Sequence, residues 1–207
     1  MIIFNRAEFR SVGYGLAWTI CSLAVMSCGQ KRQIAESSAA SGSWPDSVYI
    51  SNGDIVVART FDTLRNSLLS AIQAKGFAYA IEFCNEKVSP LMAVYSDTVK
   101  VRRTSFRHRN PDNKPDSLEA SILENWDRQV RQGEKPQPGL VRENGKVHYF
   151  KPIQTQGMCL NCHGAPVKNI QPATQSAIKN RYPNDLAIDF EEGDLRGGWH
   201  LIFEYNR

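Results

Sequence analysis

The chain has 207 residues, enough for one domain of ordinary size plus a leader and too few for two full domains. Hydrophobic residues make up 42% and charged residues 22%, which fits a globular protein and excludes global disorder. Lys+Arg 25 against Asp+Glu 21 leave a formal charge of +4, too mild to imply nucleic acid, and no Lys/Arg block suggests such a partner.

Residues 1–27 have the form of a secretory signal. Arg6 and Arg10 supply a positive start, and Val12 to Met26 an apolar stretch shorter than a spanning helix needs. The stretch closes on Val25-Met26-Ser27-Cys28, similar to a bacterial lipobox, in which cleavage precedes the cysteine and a diacylglycerol is added to its thiol. Cys28 is therefore the expected lipidation site. An ordinary signal cut nearby and an uncleaved anchor are the alternatives, and all three export the domain. By analogy with Gram-negative lipoproteins, Gly29-Gln30 after Cys28, with no Asp, favours the outer membrane. Residues 28–53, with Ser37-Ser38-Ala39-Ala40-Ser41-Gly42-Ser43, read as a polar tether that cannot bury a core, so the folded domain is expected over 54–207.

From Asp54 to Ala74, Ile55, Ala58, Phe61, Leu64, Leu68 and Ile72 recur at helical spacing, and Gly76 ends or bends that helix. A second helix is expected from about Phe77 to Tyr95, with Pro90 marking a kink or end. Val99 to Phe106 reads as a strand leading into the turn-rich Arg109-Asn110-Pro111-Asp112-Asn113-Lys114-Pro115. Asp116 then caps a helix, with Glu119 completing a capping box and Gly133 as the stop. Asn144-Gly145 between two alternating runs is a strong hairpin signal. A helix over Ala173 to Arg181 and a strand over Trp199 to Tyr205 complete an α+β chain with an antiparallel sheet.

The chemistry is concentrated in Cys159-Leu160-Asn161-Cys162-His163, the CxxCH pattern of covalent haem attachment. Two thiols add across the two vinyl groups of one haem, and the histidine that follows is held beneath the iron. A redox disulfide competes, but such motifs start a helix after a strand, whereas Gly157-Met158 before this motif and Gly164-Ala165-Pro166 after it point to a loop. A zinc site competes too, but would need a fourth ligand and commonly a second CxxC.

Four segments together resemble a bacterial exported c-type haem family with a PAS-like fold, catalogued as a domain of unknown function. They are Ala80-Ile81-Glu82-Phe83-Cys84; the run from Arg102 to Asp116; Pro152-Ile153 with Cys159 to Gly164; and Tyr182-Pro183-Asn184-Asp185-Leu186-Ala187 with Gly193 to Gly197. Asp189 departs from the pattern, where a glycine is expected. The resemblance implies N-terminal helices packed on a PAS-like antiparallel sheet, one covalent haem c, and Cys84 approaching the iron opposite His163. Elimination of the leader, lipid and thioether cysteines also leaves Cys84, although a lone helical cysteine can equally be an inert core residue. His108, His148 and His200 stand as substitutes. The arginines of the second segment are ordinarily a solvated face. In a haem protein some could pair with the propionates, and strand alternation selects Arg103 and Arg107.

The expected function is an exported, membrane-tethered monohaem cytochrome of low potential that passes single electrons to partner proteins, with iron between His163 and Cys84 and no enzymatic activity. The rival is a haem-based redox or gas sensor acting through a partner. A peroxidase-like enzyme would need an open sixth position.

Overall fold

The computed structural model describes residues 44–92 and 99–204, the side chains of 84–92 excepted. These residues fall within one compact unit, Ala40–Arg207. The leader and Cys28 lie outside the described residues. Among the described residues no helix is long and apolar enough to cross a membrane.

One long helix, α1, runs Asp46–Met92 and bends at Gly76, whose φ of 79° and ψ of 179° no helix interior adopts. The two helices expected on either side of Gly76 are thus two arms of one element. The first arm also starts earlier than expected: Asp46 to Asn52, assigned to the tether from composition, are helical. The reason is Tyr49, whose ring is buried against Phe203 and the sheet, giving this polar stretch an apolar anchor. The helix also passes two residues beyond Pro90.

The strands β1 (Val99–Thr104), β2 (Gly139–Glu143), β3 (Lys146–Gln154) and β4 (Leu195–Glu204) form an antiparallel sheet in the order β1-β4-β3-β2. The β2–β3 hairpin turns on Asn144 and Gly145, both at positive φ (52° and 71°), the turn that the Asn-Gly pair predicted. Helix α2 (Ser117–Arg131) has the expected capping box: Glu119 N–H donates to Asp116 Oδ1 at 2.8 Å and Asp116 N–H to Glu119 Oε2 at 3.0 Å.

Alternation along β4 divides the sheet into two faces. Trp199, Leu201 and Phe203 join Val147 and Tyr149 against Tyr49 and Val57 of α1. Helix and sheet approach closely there, because a Cβ at Gly53 would sit 2.6 Å from the Tyr149 ring. On the opposite face Leu123 and Trp126 of α2 pack on Phe150. A third cluster joins Ile81, on the second arm of α1, to Ile170 and to Ile178 of α4 (Pro172–Arg181), with Cys162 packed against it.

Candidate functional site

The CxxCH motif is not the loop that its flanking glycines suggested. It occupies two successive single turns, a 3-10 turn Gly157–Cys159 and the four-residue helix α3, Leu160–His163. Cys159 N–H donates to Gln156 O (2.8 Å), Gly164 N–H to Leu160 O (2.9 Å), and the Asn161 side-chain amide to Met158 O (3.0 Å). A glycine is required at the exit, since a Cβ on Gly164 would lie 2.7 Å from Asn169 Cβ. Residues three apart on such a turn share one side, so the spacing puts the two half-buried thiols on a common face, and no disulfide joins them.

The Arg102–Asp116 and Tyr182–Ala187 segments close around this turn. Arg109, nearly buried, donates through Nη2 to Cys162 O (2.6 Å) and Ala187 O (3.2 Å), and pairs with Asp185 Oδ2 at 3.0 Å. Leu186 N–H donates to His108 O, Asp189 N–H to Gly164 O and Phe190 N–H to His163 O, at 3.1, 3.0 and 2.9 Å. Asp189, where the resemblance expects glycine, has φ 58°, the left-handed region that glycine enters without strain.

His163 is fixed by the same wrap. Its Nδ1 lies 2.8 Å from Ala187 O. A carbonyl only accepts, so Nδ1 carries the proton and Nε2 keeps the lone pair. The Phe190 ring stands edge-on to the imidazole at 6.3 Å. Burial first, then the positive charge of Arg196 and Arg109, holds the His163 pKa well below its usual value, and the ring is neutral at pH 7.

Arg196 is pushed down to about 9, first by burial and then by Arg103 and Arg109 beside it. Its Nη1 donates to Ser105 Oγ and to Arg107 O, both at 3.2 Å. Arg103 lies over the Trp199 ring at 5.9 Å. Arg107 has a different post: its Nη2 donates to Ile188 O, and its guanidinium lies 3.7 Å from the Phe190 ring centre. The alternation that grouped it with Arg103 does not hold because β1 ends at Thr104. The arginines that crowd His163 are thus Arg103, Arg109 and Arg196. Arg109 lies in the resembling loop, but no strand pattern could select it, and Arg196 is the extra β4 residue opposite the register shift at Ile153/Gln154, which periodicity does not reveal.

The family model described as Tll0287-like, Tll0287, matches residues 47–203. The chain belongs to the Tll0287-like family. Among solved structures, the crystal structure of the cyanobacterial heme-protein Tll0287 is similar at 25% sequence identity and a TM-score of 0.56, over 78% of this chain and 97% of that one. No curated protein matches.

In this Tll0287-like chain the remaining residues singled out by sequence fall as follows. The side chain of Cys84 lies outside the described residues, on the second arm of α1, one helical turn after the buried Ile81. His108 is half-buried, its Nδ1 3.3 Å from Ser105 O. His148 and His200 are buried in a hydrogen-bonded chain with Glu119 of α2, on the sheet face away from α1.

Proposed function

We propose that this domain holds one haem c through thioether bonds from Cys159 and Cys162, with His163 Nε2 as an iron ligand. The observation that carries the reading is the His163 Nδ1–Ala187 O bond on the CxxCH turn. It presents a neutral, oriented imidazole with its lone pair directed away from the protein acceptor, as metal-ligating histidines are held by a hydrogen bond from their other ring nitrogen. The site also has the right charge. Arg103, Arg109 and Arg196 gather around His163, Arg109 paired with Asp185, and guanidinium groups so placed suit the propionates of a haem. Membership of the Tll0287-like family, and likeness to a cyanobacterial heme-protein, support the same cofactor.

Cys84 is the proposed opposite ligand. Ile81, one turn before it, packs in the cluster that Cys162 touches, so this arm of α1 borders the motif. When bound, the haem supplies a one-electron Fe(III)/Fe(II) couple. The chain's part is to fix His163 through Ala187, neutralise the propionates with guanidinium groups, and hold the ferric state with a thiolate, which lowers the potential relative to a His/Met site. The physiological role we propose is exported one-electron transfer without substrate turnover, on a PAS-like scaffold tethered to a membrane through lipid on Cys28.

Expression with a cytochrome c maturation system tests the first step: absorption of the denatured protein in alkaline pyridine should show covalently retained haem, lost in Cys159→Ala/Cys162→Ala. Retention of a noncovalent haem only would overturn thioether attachment. Ferric electron paramagnetic resonance of Cys84→Ala should lose the low-spin thiolate signature, and an unchanged spectrum would remove Cys84. Fatty-acid labelling in a lipoprotein-processing host should be lost in Cys28→Ala.

A further inference from the structure

On the α2 face of the sheet, a buried ionisable chain lies outside the haem reading. His148 Nδ1 is 2.8 Å from His200 Nε2, His200 Nδ1 is 2.7 Å from Glu119 Oε1, and Arg102 Nε is 2.7 Å from that same oxygen. The other Glu119 oxygen accepts from Asp116 N–H at 3.0 Å. The side chains of His200 and Glu119 are 2% and 0% exposed. The rings of His148, Phe150 and His200 stack, Phe150 on His200 at 4.2 Å. Asp116 from the cap of α2, Glu143 from β2 and Lys146 from β3 are the further charges that act on His148.

Chemistry fixes the direction of this chain. Burial alone would raise the Glu119 pKa, but the His200 bond, the Asp116 N–H and Arg102 outweigh it, so the carboxylate is ionised and can only accept. His200 Nδ1 therefore donates to Glu119, and in the neutral form of the pair its Nε2 accepts from His148 Nδ1–H. A proton arriving at His148 Nε2 can pass along the pair, leaving an imidazolium on Glu119. Burial first, then His200, lowers the His148 pKa, against the opposing pull of Glu143 and Asp116. His148 is thus neutral near pH 7.

The chain lies on the sheet face opposite Trp199. Arg102 is next to Arg103 and His200 next to Trp199; in the β1–β4 register Arg102 faces His200 and Arg103 faces Trp199. Arg103 lies over the Trp199 ring and acts on His163. As a general scale, a unit charge ~12 Å from a titrating group at an effective dielectric constant of about 20 alters its proton affinity on the order of tenfold.

We propose that the His148–His200 pair gains proton occupancy when the haem is reduced, by up to about half a proton per electron for a tenfold change in affinity, so that electron transfer by the domain is coupled to proton uptake. This rests on the haem reading above. The electron comes from a one-electron donor protein and goes to the iron. The proton comes from water to His148 Nε2, with the Nδ1 proton shifting to His200, and reoxidation releases both.

The test uses the haem-loaded protein, titrated potentiometrically with dithionite from pH 5 to 8. Its potential should fall as pH rises by a total equivalent to about tenfold in the reduction equilibrium, 59 mV for one electron. His148→Gln and His200→Gln should flatten the dependence. Nuclear magnetic resonance of the imidazole Cε1–H groups should show His148 or His200 titrating at higher pH in the ferrous wild type than in the ferric, a readout that stands even if a buried variant fails to fold. A protein that retains no haem overturns the parent reading. A haem-loaded protein whose potential ignores pH, whose histidines titrate alike in both states, or whose pH dependence survives both substitutions overturns this proposal alone.

Discussion

Around Leu201 the sheet is filled by apolar side chains: Val147, Tyr149 and Leu201 are 0% exposed and Tyr49, Trp199 and Phe203 close over them. Around His163 the same chain uses one-turn helices, main-chain bonds to a wrapping segment, and arginines whose charges raise one another's cost. The first region is stabilised by removing apolar surface from water and needs no partner. The second concentrates positive charge around a motif with two thiols and holds it through main-chain carbonyls and Asp185. A scaffold and a receptive end have been built from opposite physics.

The contrast is broken most strongly by Leu201→Ala. Its cavity in the apolar cluster should cost about 3 kcal/mol in denaturant unfolding. A loss confined to local exchange near His163 would contradict the division. Gly53→Ala should cost about 2 kcal/mol by the same measurement, because its Cβ would press on the Tyr149 ring at 2.6 Å. Arg109→Lys acts on the other region. It cannot keep the bonds to Cys162 O, Asp185 and Ala187 O, and about 2 kcal/mol should be lost locally. Hydrogen exchange should then be roughly 30-fold faster at the Asp189 and Phe190 amides, while sheet amides keep their protection. Asp189→Gly is the smallest change. It relieves the left-handed backbone and should stabilise the apoprotein by about 0.5 kcal/mol in a melting experiment, since the freer unfolded chain offsets part of the relief.

Local chemistry was legible in the sequence where it acts within a few residues. The Asp116–Glu119 box, the Asn144-Gly145 turn and α4 with Pro172 in its first turn all follow from neighbours along the chain. What sequence could not give depends on the third dimension. Asp46 to Asn52 look like linker until Tyr49 finds Phe203. His148 and His200 read as ordinary strand residues until α2 brings Glu119 over them. The motif itself was plain, but its surroundings were only half read: Arg103 was reached by alternation, whereas Arg109 enters from a loop and Arg196 from the bulged position of β4, where no period applies. Arg107, chosen by the same alternation, is drawn off to Ile188 and Phe190.

The bend in α1 has a mechanical consequence. A straight rod of this length would transmit any tilt at one end to the other, because helices resist bending. Here the main-chain ladder is interrupted at Gly76, and nothing lies within 4 Å of where its Cβ would be. The joint is therefore uncrowded, and the Lys75 ammonium lies over the Tyr79 ring at 4.8 Å across it. The arm that packs on Ile170 and Ile178 takes its pose from α4, and the arm under Tyr149 takes its pose from the sheet. The bend at Gly76 thus separates the arm that borders the motif from the arm seated in the apolar cluster.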